Sequence, residues 1–271
     1  MRIAFGALLG AALAVALAFL VLPLVALFLH TSPGHLFAQL GDAQVRDALV
    51  VSVKTSAIAH ALVLLVGTPA AYALARRRFR GRALVLALVE LPLVLPPAVA
   101  GIALLAAFGR AGLLGGTFSA LGFSIPFTQT AVVHAVGFVE SPFYLRSAVA
   151  AFESVDPAIL DAARTLGARP GRVFLRVALP LAAGGLGAGS ALALARGLGE
   201  FGATIIFAGS LQGVTQTLPL AIYAELDHLD AAIAVGALFV VVGAAVLLTL
   251  KLVPAWTAST SNFAFRSAPS S

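Results

Sequence analysis

The sequence predicts an all-α membrane protein with six transmembrane helices. Of its 271 residues, 61% are hydrophobic and only 10% are charged, and the mean hydropathy is +1.04. Soluble domains carry about 25% charged residues, so lipid must be the solvent for much of this chain. A spanning helix needs about 20 predominantly apolar residues. Six stretches qualify: residues 5–29, 48–75, 83–108, 128–151, 177–207 and 231–252.

The first apolar stretch could be mistaken for a signal peptide. Its apolar run from Ile3 to Leu29 is much longer than the apolar region of about 7–15 residues in such peptides. We therefore expect residues 1–30 to form a retained first transmembrane helix and residues 45–253 to form the transmembrane core. The serine-rich residues 254–271 are expected to be a disordered tail.

The distribution of basic residues in the connections predicts the orientation. The second connection carries Arg76, Arg77, Arg78, Arg80 and Arg82, and the fourth carries Arg164, Arg169, Arg172 and Arg176. The first and third connections have only Arg46 and Arg110, and the fifth has none. Because basic loops stay cytoplasmic, we expect a multi-pass protein of the cytoplasmic membrane with both termini inside. This topology explains the net charge of +6 without a nucleic-acid partner.

Motifs for enzymatic chemistry are missing from the sequence. It has no cysteine, and its two lysines, Lys54 and Lys251, do not lie in a phosphate-loop pattern. Its five histidines are scattered without metal-ligand spacing, and no nucleophile-elbow motif is present. We therefore expect no catalytic residue, metal or cofactor on this chain. An intramembrane hydrolase remains an alternative that no acid–base constellation supports.

The cytoplasmic loop 152–180 contains a predicted short amphipathic helix. Asp156 is a suitable N-cap, Pro157 suits the first helical position, and Gly167 is a suitable terminator. Such a helix could lie in the lipid interface, pack on the protein's own core, or dock into a groove of a cytoplasmic partner. Its apolar face at helical spacing would consist of Ile159, Leu160, Ala163 and Leu166.

The same loop resembles the EAA loop of membrane subunits of ATP-binding cassette (ABC) importers. That pattern is Glu-Ala-Ala, three residues, Gly, nine residues, then Ile-x-Leu-Pro. Here Asp161 replaces the Glu, Val177 replaces the Ile, and the spacing is kept. The resemblance implies a type I ABC importer permease fold, with ATP used by a separate ATPase subunit that seats this helix. The implied coupling residues are Asp156, Pro157, Ile159, Leu160, Asp161, Ala162, Ala163, Leu166 and Gly167.

The third predicted span contains prolines and a carboxylate. Pro92, Pro96 and Pro97 remove backbone donors, and irregular backbone at membrane depth is tolerated only against protein or a water-filled path. Glu90 is either functional or a charge that snorkels to the cytoplasmic interface. The sequence thus indicates a broken region that could line a pathway.

The fifth predicted span carries a ridge of small residues followed by two charges. Small side chains recur every four residues, which predicts close helix packing, and Arg196 and Glu200 are spaced to form an ion pair. We expect this pair to hold a gate near the outer end of the span rather than to bind substrate directly. The ridge consists of Gly185, Gly189, Ala193 and Gly197.

Two further motifs are Gly-Glu-Phe-Gly-Ala-Thr at 199–204 and Thr-Gln-Thr-Leu-Pro-Leu at 215–220. They are most similar to motifs of molybdate/tungstate permeases, although sulfate permeases share much of the pattern. The resemblance implies a homodimer with a central pathway, two ABC ATPase subunits and an extracytoplasmic oxyanion-binding protein. The alternatives are a sulfate/thiosulfate permease and, in another class, a secondary transporter or channel. The expected pathway or gate residues are Glu90, Pro96, Pro97, Arg196, Glu200, Thr204 and Ser210, and Thr215, Gln216 and Thr217 supply further polar groups.

Overall fold

A computed structural model of the chain describes residues 2–266, with side chains over 5–249. These residues are helices joined by short connections, without a β-strand among them. The first seven helices are α1 (Arg2–Leu29), α2 (Pro33–Gln39), α3 (Ala43–Arg76), α4 (Arg82–Val94), α5 (Pro97–Phe108), α6 (Gly115–Ala120) and α7 (Gln129–Glu153). The others are α8 (Pro157–Thr165), α9 (Pro170–Val173), a π-helical segment (Phe174–Ala178), α10 (Leu179–Leu198), α11 (Gly202–Phe207), α12 (Leu218–Ala224) and α13 (Leu229–Arg266).

Four continuous helical stretches in the described residues are long and apolar enough to span a membrane, and a bent pair brings the number to five. The predicted number of six is therefore not confirmed by length and composition. The fourth predicted span corresponds to α7, which has 25 residues but carries Glu140, Arg146 and Glu153. The four stretches are Phe5–Leu29, Ala43–Arg76, Pro170–Leu198 and Leu229–Thr249.

The third predicted span is two helices, α4 and α5, with a bend of 116° between them. Leu95 and Pro96 have extended backbone, with ψ values of 130° and 138°. Each of them precedes a proline, and a residue before proline is sterically pushed out of the helical region. Pro92, by contrast, lies inside α4. The break thus occurs at Pro96 and Pro97 and not at all three prolines.

The fifth predicted span also ends earlier than expected. The helix stops at Leu198, and the short α11 begins at Gly202. Glu200 lies in the break, where its Oε1 accepts a hydrogen bond of 2.7 Å from the backbone N–H of Ala203. Its carboxylate thus caps a new helix, because the first N–H groups of a helix have no partner within it. Glu200 is therefore not on the continuous helix that the sequence predicted.

The ridge of small residues on α10 packs against α7, as the sequence predicted. A Cβ placed on Gly185 would lie 2.6 Å from the Cβ of Ala151, and one on Gly189 would lie 2.5 Å from the Cβ of Ser147. Distances this short leave no room for any side chain, so glycine lets the two backbones approach closely. The α7–α10 contact lies at the packed centre of the molecule.

The two ends of the chain differ in packing from this centre. The hydrophobic side chains of α1 are mostly exposed, as expected for a helix that contacts lipid. At the other end α13 continues to Arg266, and the disordered tail expected over 254–271 stays a prediction. Residues 254–266 contain no glycine to terminate the helix. Residues 267–271 lie outside the described part of the chain.

Candidate functional site

The predicted cytoplasmic helix is present as α8. The side chain of Asp156 accepts a hydrogen bond from the backbone N–H of Ala158 at 2.9 Å, and Pro157 occupies the first helical position. Gly167 follows the last turn with φ = +82°, a left-handed conformation that favours glycine. Arg164 and Asp161 form an exposed ion pair of 2.7 Å on its surface. Local sequence signals thus determine both ends of this helix.

The apolar face of α8 is divided between the protein's own core and solvent. Leu160 is 2% exposed and Ala163 packs against the same core cluster, which includes Phe152. Ile159 and Leu166 are 46% and 88% exposed. Packing on the protein's own core, one of the three sequence alternatives, therefore accounts for half of the face. The other half is exposed.

Two arginines attach the start of this loop to the preceding helices. The Nη2 of Arg76, the last residue of α3, donates to the backbone carbonyl of Phe152 at 2.7 Å and of Val155 at 2.8 Å. Arg82 at the start of α4 forms an ion pair with Glu153. Sequence reasoning assigned these arginines to topology alone, because the two ends of each contact lie more than 70 residues apart. They bring the second and fourth connections to the same end of the molecule.

The breaks in the third and fifth predicted spans meet each other. A Cβ placed on Gly202 would lie 2.5 Å from the Cβ of Pro97, and one on Gly101 would lie 2.9 Å from the carbonyl oxygen of Ala203. Beside this contact, the Nη1 of Arg196 lies 3.0 Å from the Oε2 of Glu200, which confirms the predicted ion pair. The side chain of Glu200 is buried, whereas that of Arg196 is one-third exposed.

The other predicted pathway residues lie in different surroundings. Thr204 on α11 is fully buried, and its hydroxyl has no hydrogen-bond partner among the described residues. Ser210 and Pro96 are exposed. Glu90 lies on α4, half-exposed, with its Oε1 3.7 Å from the Nε of Arg146. The structure therefore brings Pro97, Glu200 and Thr204 to the α5–α11 region, whereas Glu90 lies on α4, on the other side of the bend.

A cluster of three polar residues at the junction of α3, α7 and α10 was missed by sequence reasoning. Glu140 is fully buried, and its Oε1 lies 3.6 Å from the Nδ1 of His60. The Nε2 of His60 lies 2.8 Å from the Oγ of Ser190. A single carboxylate within the apolar stretch 128–151 was a visible signal, but its partners are distant in sequence. No group of three or more His, Asp or Glu side chains in the described residues could hold a metal ion.

A family model described as "Binding-protein-dependent transport system inner membrane component" matches residues 63–256. The chain belongs to this family of ABC importer permeases. The permease is 48% identical over 231 residues to the molybdenum transport system permease protein ModB of Mycobacterium tuberculosis, covering 85% of this chain and 88% of that protein. It is 36% identical to the sulfate transport system permease protein CysW of Synechocystis, covering 86% of each. These relatives confirm the resemblance to the molybdate group.

Solved structures agree on the fold of the permease. A bacterial ABC transporter that imports the acidic polysaccharide alginate aligns with a TM-score of 0.69 at 19% identity, covering 92% of this chain and 94% of that one. The MetNI methionine ABC transporter aligns with a TM-score of 0.58 at 18% identity, covering 77% and 92%. The predicted importer permease fold is confirmed. The chain is a multi-pass membrane subunit without catalytic activity, in a class of transporter whose separate ATPase uses the ATP.

Proposed function

We propose that this permease forms, as a homodimer, the translocation pathway of an ATP-driven importer for molybdate and tungstate. The observation that carries the proposal is the 48% identity to a molybdenum permease over most of both chains, against 36% to a sulfate permease. The partners would be two ABC ATPase subunits and an extracytoplasmic oxyanion-binding protein. Sulfate or thiosulfate is the second candidate cargo, because the sulfate permease aligns over as much of the chain.

The exposed half of α8 is the proposed contact with the ATPase. Ile159 and Leu166 offer apolar surface to a groove, and the ion pair of Asp161 with Arg164 lies on the same short helix. ATP binding would close the ATPase dimer, move α8 and turn the pathway outward, and hydrolysis would reset it. The proposed orientation has both termini in the cytoplasm. It is supported by the contacts of Arg76 and Arg82 with residues 152–155, since both arginine-rich connections then lie on one side.

Hydroxyl and amide groups are the proposed contacts for the oxyanion. Thr204 has a buried hydroxyl without a partner among the described residues, and it lies on α11 beside the α5 contact. Opening of that contact during the transport cycle would expose a hydrogen-bond donor to the path. Neutral donors suit a pathway because a permanent cationic cage would hinder release of a dianion. Tight selection is then assigned to the binding protein.

Competition by sulfate tests the proposed cargo. Proteoliposomes would contain the permease with its ATPase and binding protein, and ATP-dependent molybdate uptake would be measured with and without a large excess of sulfate. We expect molybdate uptake to persist in sulfate. A block by sulfate would assign the chain to the sulfate/thiosulfate group, and uptake by the permease without its ATPase would indicate a secondary transporter or channel.

Removal of the two proposed donor hydroxyls tests the pathway. We expect Thr204→Ala and Ser210→Ala each to lower uptake about tenfold or more, since a hydrogen bond to a charged group contributes about 1.5–3 kcal/mol. Thr204→Val separates the hydroxyl from the volume of the side chain. Ser119→Ala, at an exposed serine on α6, is the matched control. Unchanged uptake in the Thr204 and Ser210 variants would remove these residues from the path.

A further inference from the structure

Glu140 is an acidic side chain buried about midway along α7, the helix that corresponds to the fourth predicted span. It is 0% exposed, and neither carboxylate oxygen has a hydrogen-bond partner in the described residues. Ionisable groups at membrane depth are costly, and they persist where they are paired or serve a function. Neither the proposed pathway nor the coupling helix explains why a carboxylate occupies this position.

The groups around Glu140 belong to two other helices. His60 on α3 faces its Oε1 at 3.6 Å, and the opposite nitrogen of that imidazole lies 2.8 Å from the Oγ of Ser190 on α10. A Cβ placed on Gly197, in the last turn of α10, would lie 2.5 Å from the Oε2 of Glu140. The carboxylate is thus held between an imidazole and the backbone of α10. The adjacent residue in that turn is Arg196, which pairs with Glu200.

We infer that Glu140 and His60 share one proton, and that this one-proton state positions the end of α10 for the Arg196–Glu200 pair. With one proton, the two side chains are either an ion pair or two neutral groups, and the cluster has no net charge. Removal of the proton leaves a buried carboxylate beside a neutral imidazole. Addition of a second leaves a buried imidazolium beside a neutral acid. Either unpaired charge is strongly unfavourable in an apolar junction, so the state with one proton is the stable one.

Most other charged and titratable groups on the packed helices contact partners outside the cluster. On α7, Tyr144 bonds Thr68 and His134 bonds the carbonyl of Thr130. On α3, Lys54 donates to Gln129 at the opposite end from Arg76. Helix α4 contributes the pairs Glu90–Arg146 and Arg82–Glu153, and α5 and α11 contain no titratable residue. Arg196 and Glu200 lie on either side of Gly197 in the chain, the residue that meets Glu140.

The pH dependence of transport tests this inference, which rests on the importer activity. The complete transporter would be reconstituted, and uptake and the thermal unfolding midpoint would be measured from mildly acidic to mildly alkaline pH. We expect a bell-shaped profile for the wild type. In Glu140→Gln, uptake and the unfolding midpoint should no longer fall on the alkaline side of the profile (the alkaline limb), because the variant has no carboxylate that could become an unpaired charge. In His60→Gln, the same two quantities should no longer fall on the acidic side (the acid limb), because no imidazolium can form.

Two further variants and one measurement that needs no cargo keep the outcomes distinct. His134 lies on α7, like Glu140, but outside the cluster. The His134→Gln profile should therefore keep both limbs. Ser190→Ala removes only the hydroxyl that contacts His60 and should shift the limbs along the pH axis. An unshifted profile in this variant would overturn the inference, even if the other variants failed to fold. Both limbs retained in Glu140→Gln and His60→Gln, or a flat wild-type profile, would also overturn it. The unfolding midpoint can be measured without cargo. If the proposed cargo is wrong, uptake is absent in every variant, but both limbs can still be measured from the unfolding midpoint.

Discussion

Replacement of Gly189 by leucine is expected to abolish the folded permease. Even a Cβ at this position would lie 2.5 Å from the Cβ of Ser147 and 3.8 Å from its Cα, so α7 and α10 must move apart to accept any side chain. Overpacking costs about 1–3 kcal/mol where neighbours can adjust, and here the obstacle includes the base of a side chain on a buried helix. Detergent-solubilised protein should lose its monodisperse elution and its cooperative thermal transition.

The same helix provides a matched control for this experiment. Gly184 is exposed, and a Cβ placed on it would meet nothing within 4 Å. Gly184→Leu should therefore elute and unfold like the wild type. If Gly189→Leu also behaved like the wild type, the close α7–α10 contact described above would be wrong.

Gly167→Asp is expected to uncouple the permease from its ATPase. The left-handed φ of +82° costs most residues with a side chain roughly 1–2 kcal/mol and aspartate less, and aspartate also adds a carboxylate beside the exposed Leu166. Desolvation of that charge at an interface adds a further cost. The variant should insert into the membrane and lose at least tenfold in co-purifying ATPase and in uptake. Deletion of residues 157–167 removes α8 and should abolish co-purification.

Gly171 is the control for the coupling experiment. It lies in the same loop and is exposed, a Cβ placed on it would meet nothing within 4 Å, and its φ is not positive. Gly171→Asp adds the same charge at a position a few residues beyond α8, and it adds no backbone strain. It should retain the ATPase. Normal co-purification of Gly167→Asp with the ATPase would contradict the assignment of α8 as the coupling helix.

The features predicted correctly from the sequence are those that local rules determine. Asp156, Pro157 and Gly167 define α8 through capping, and the four-residue spacing of Gly185 and Gly189 predicts a close helix contact. The ion pair of Arg196 with Glu200 was predicted from spacing, although it forms across a helix break. In each case the residues that carry the signal are near one another in the chain.

The features that sequence reasoning missed depend on contacts between distant segments. His60 and Ser190 are 130 residues apart, so their spacing carries no signal of the cluster around Glu140. Leu160 and Ile159 are equally apolar, and only packing against the core decides which of them is buried. The 116° bend in the third predicted span was indicated by its prolines, but its direction depends on what α5 packs against.

The attachment of Arg76 has a mechanical consequence in the proposed cycle. One guanidinium nitrogen bridges two carbonyls, that of Phe152 in the last turn of α7 and that of Val155 in the turn that leads into α8. These two hydrogen bonds stiffen the turn. In the proposed cycle, a displacement of α8 is therefore passed to α3 and α7 together and is not absorbed by bending of the turn. Lysine, with a single ammonium on a flexible stem, would brace the turn less firmly, even though it preserves the charge.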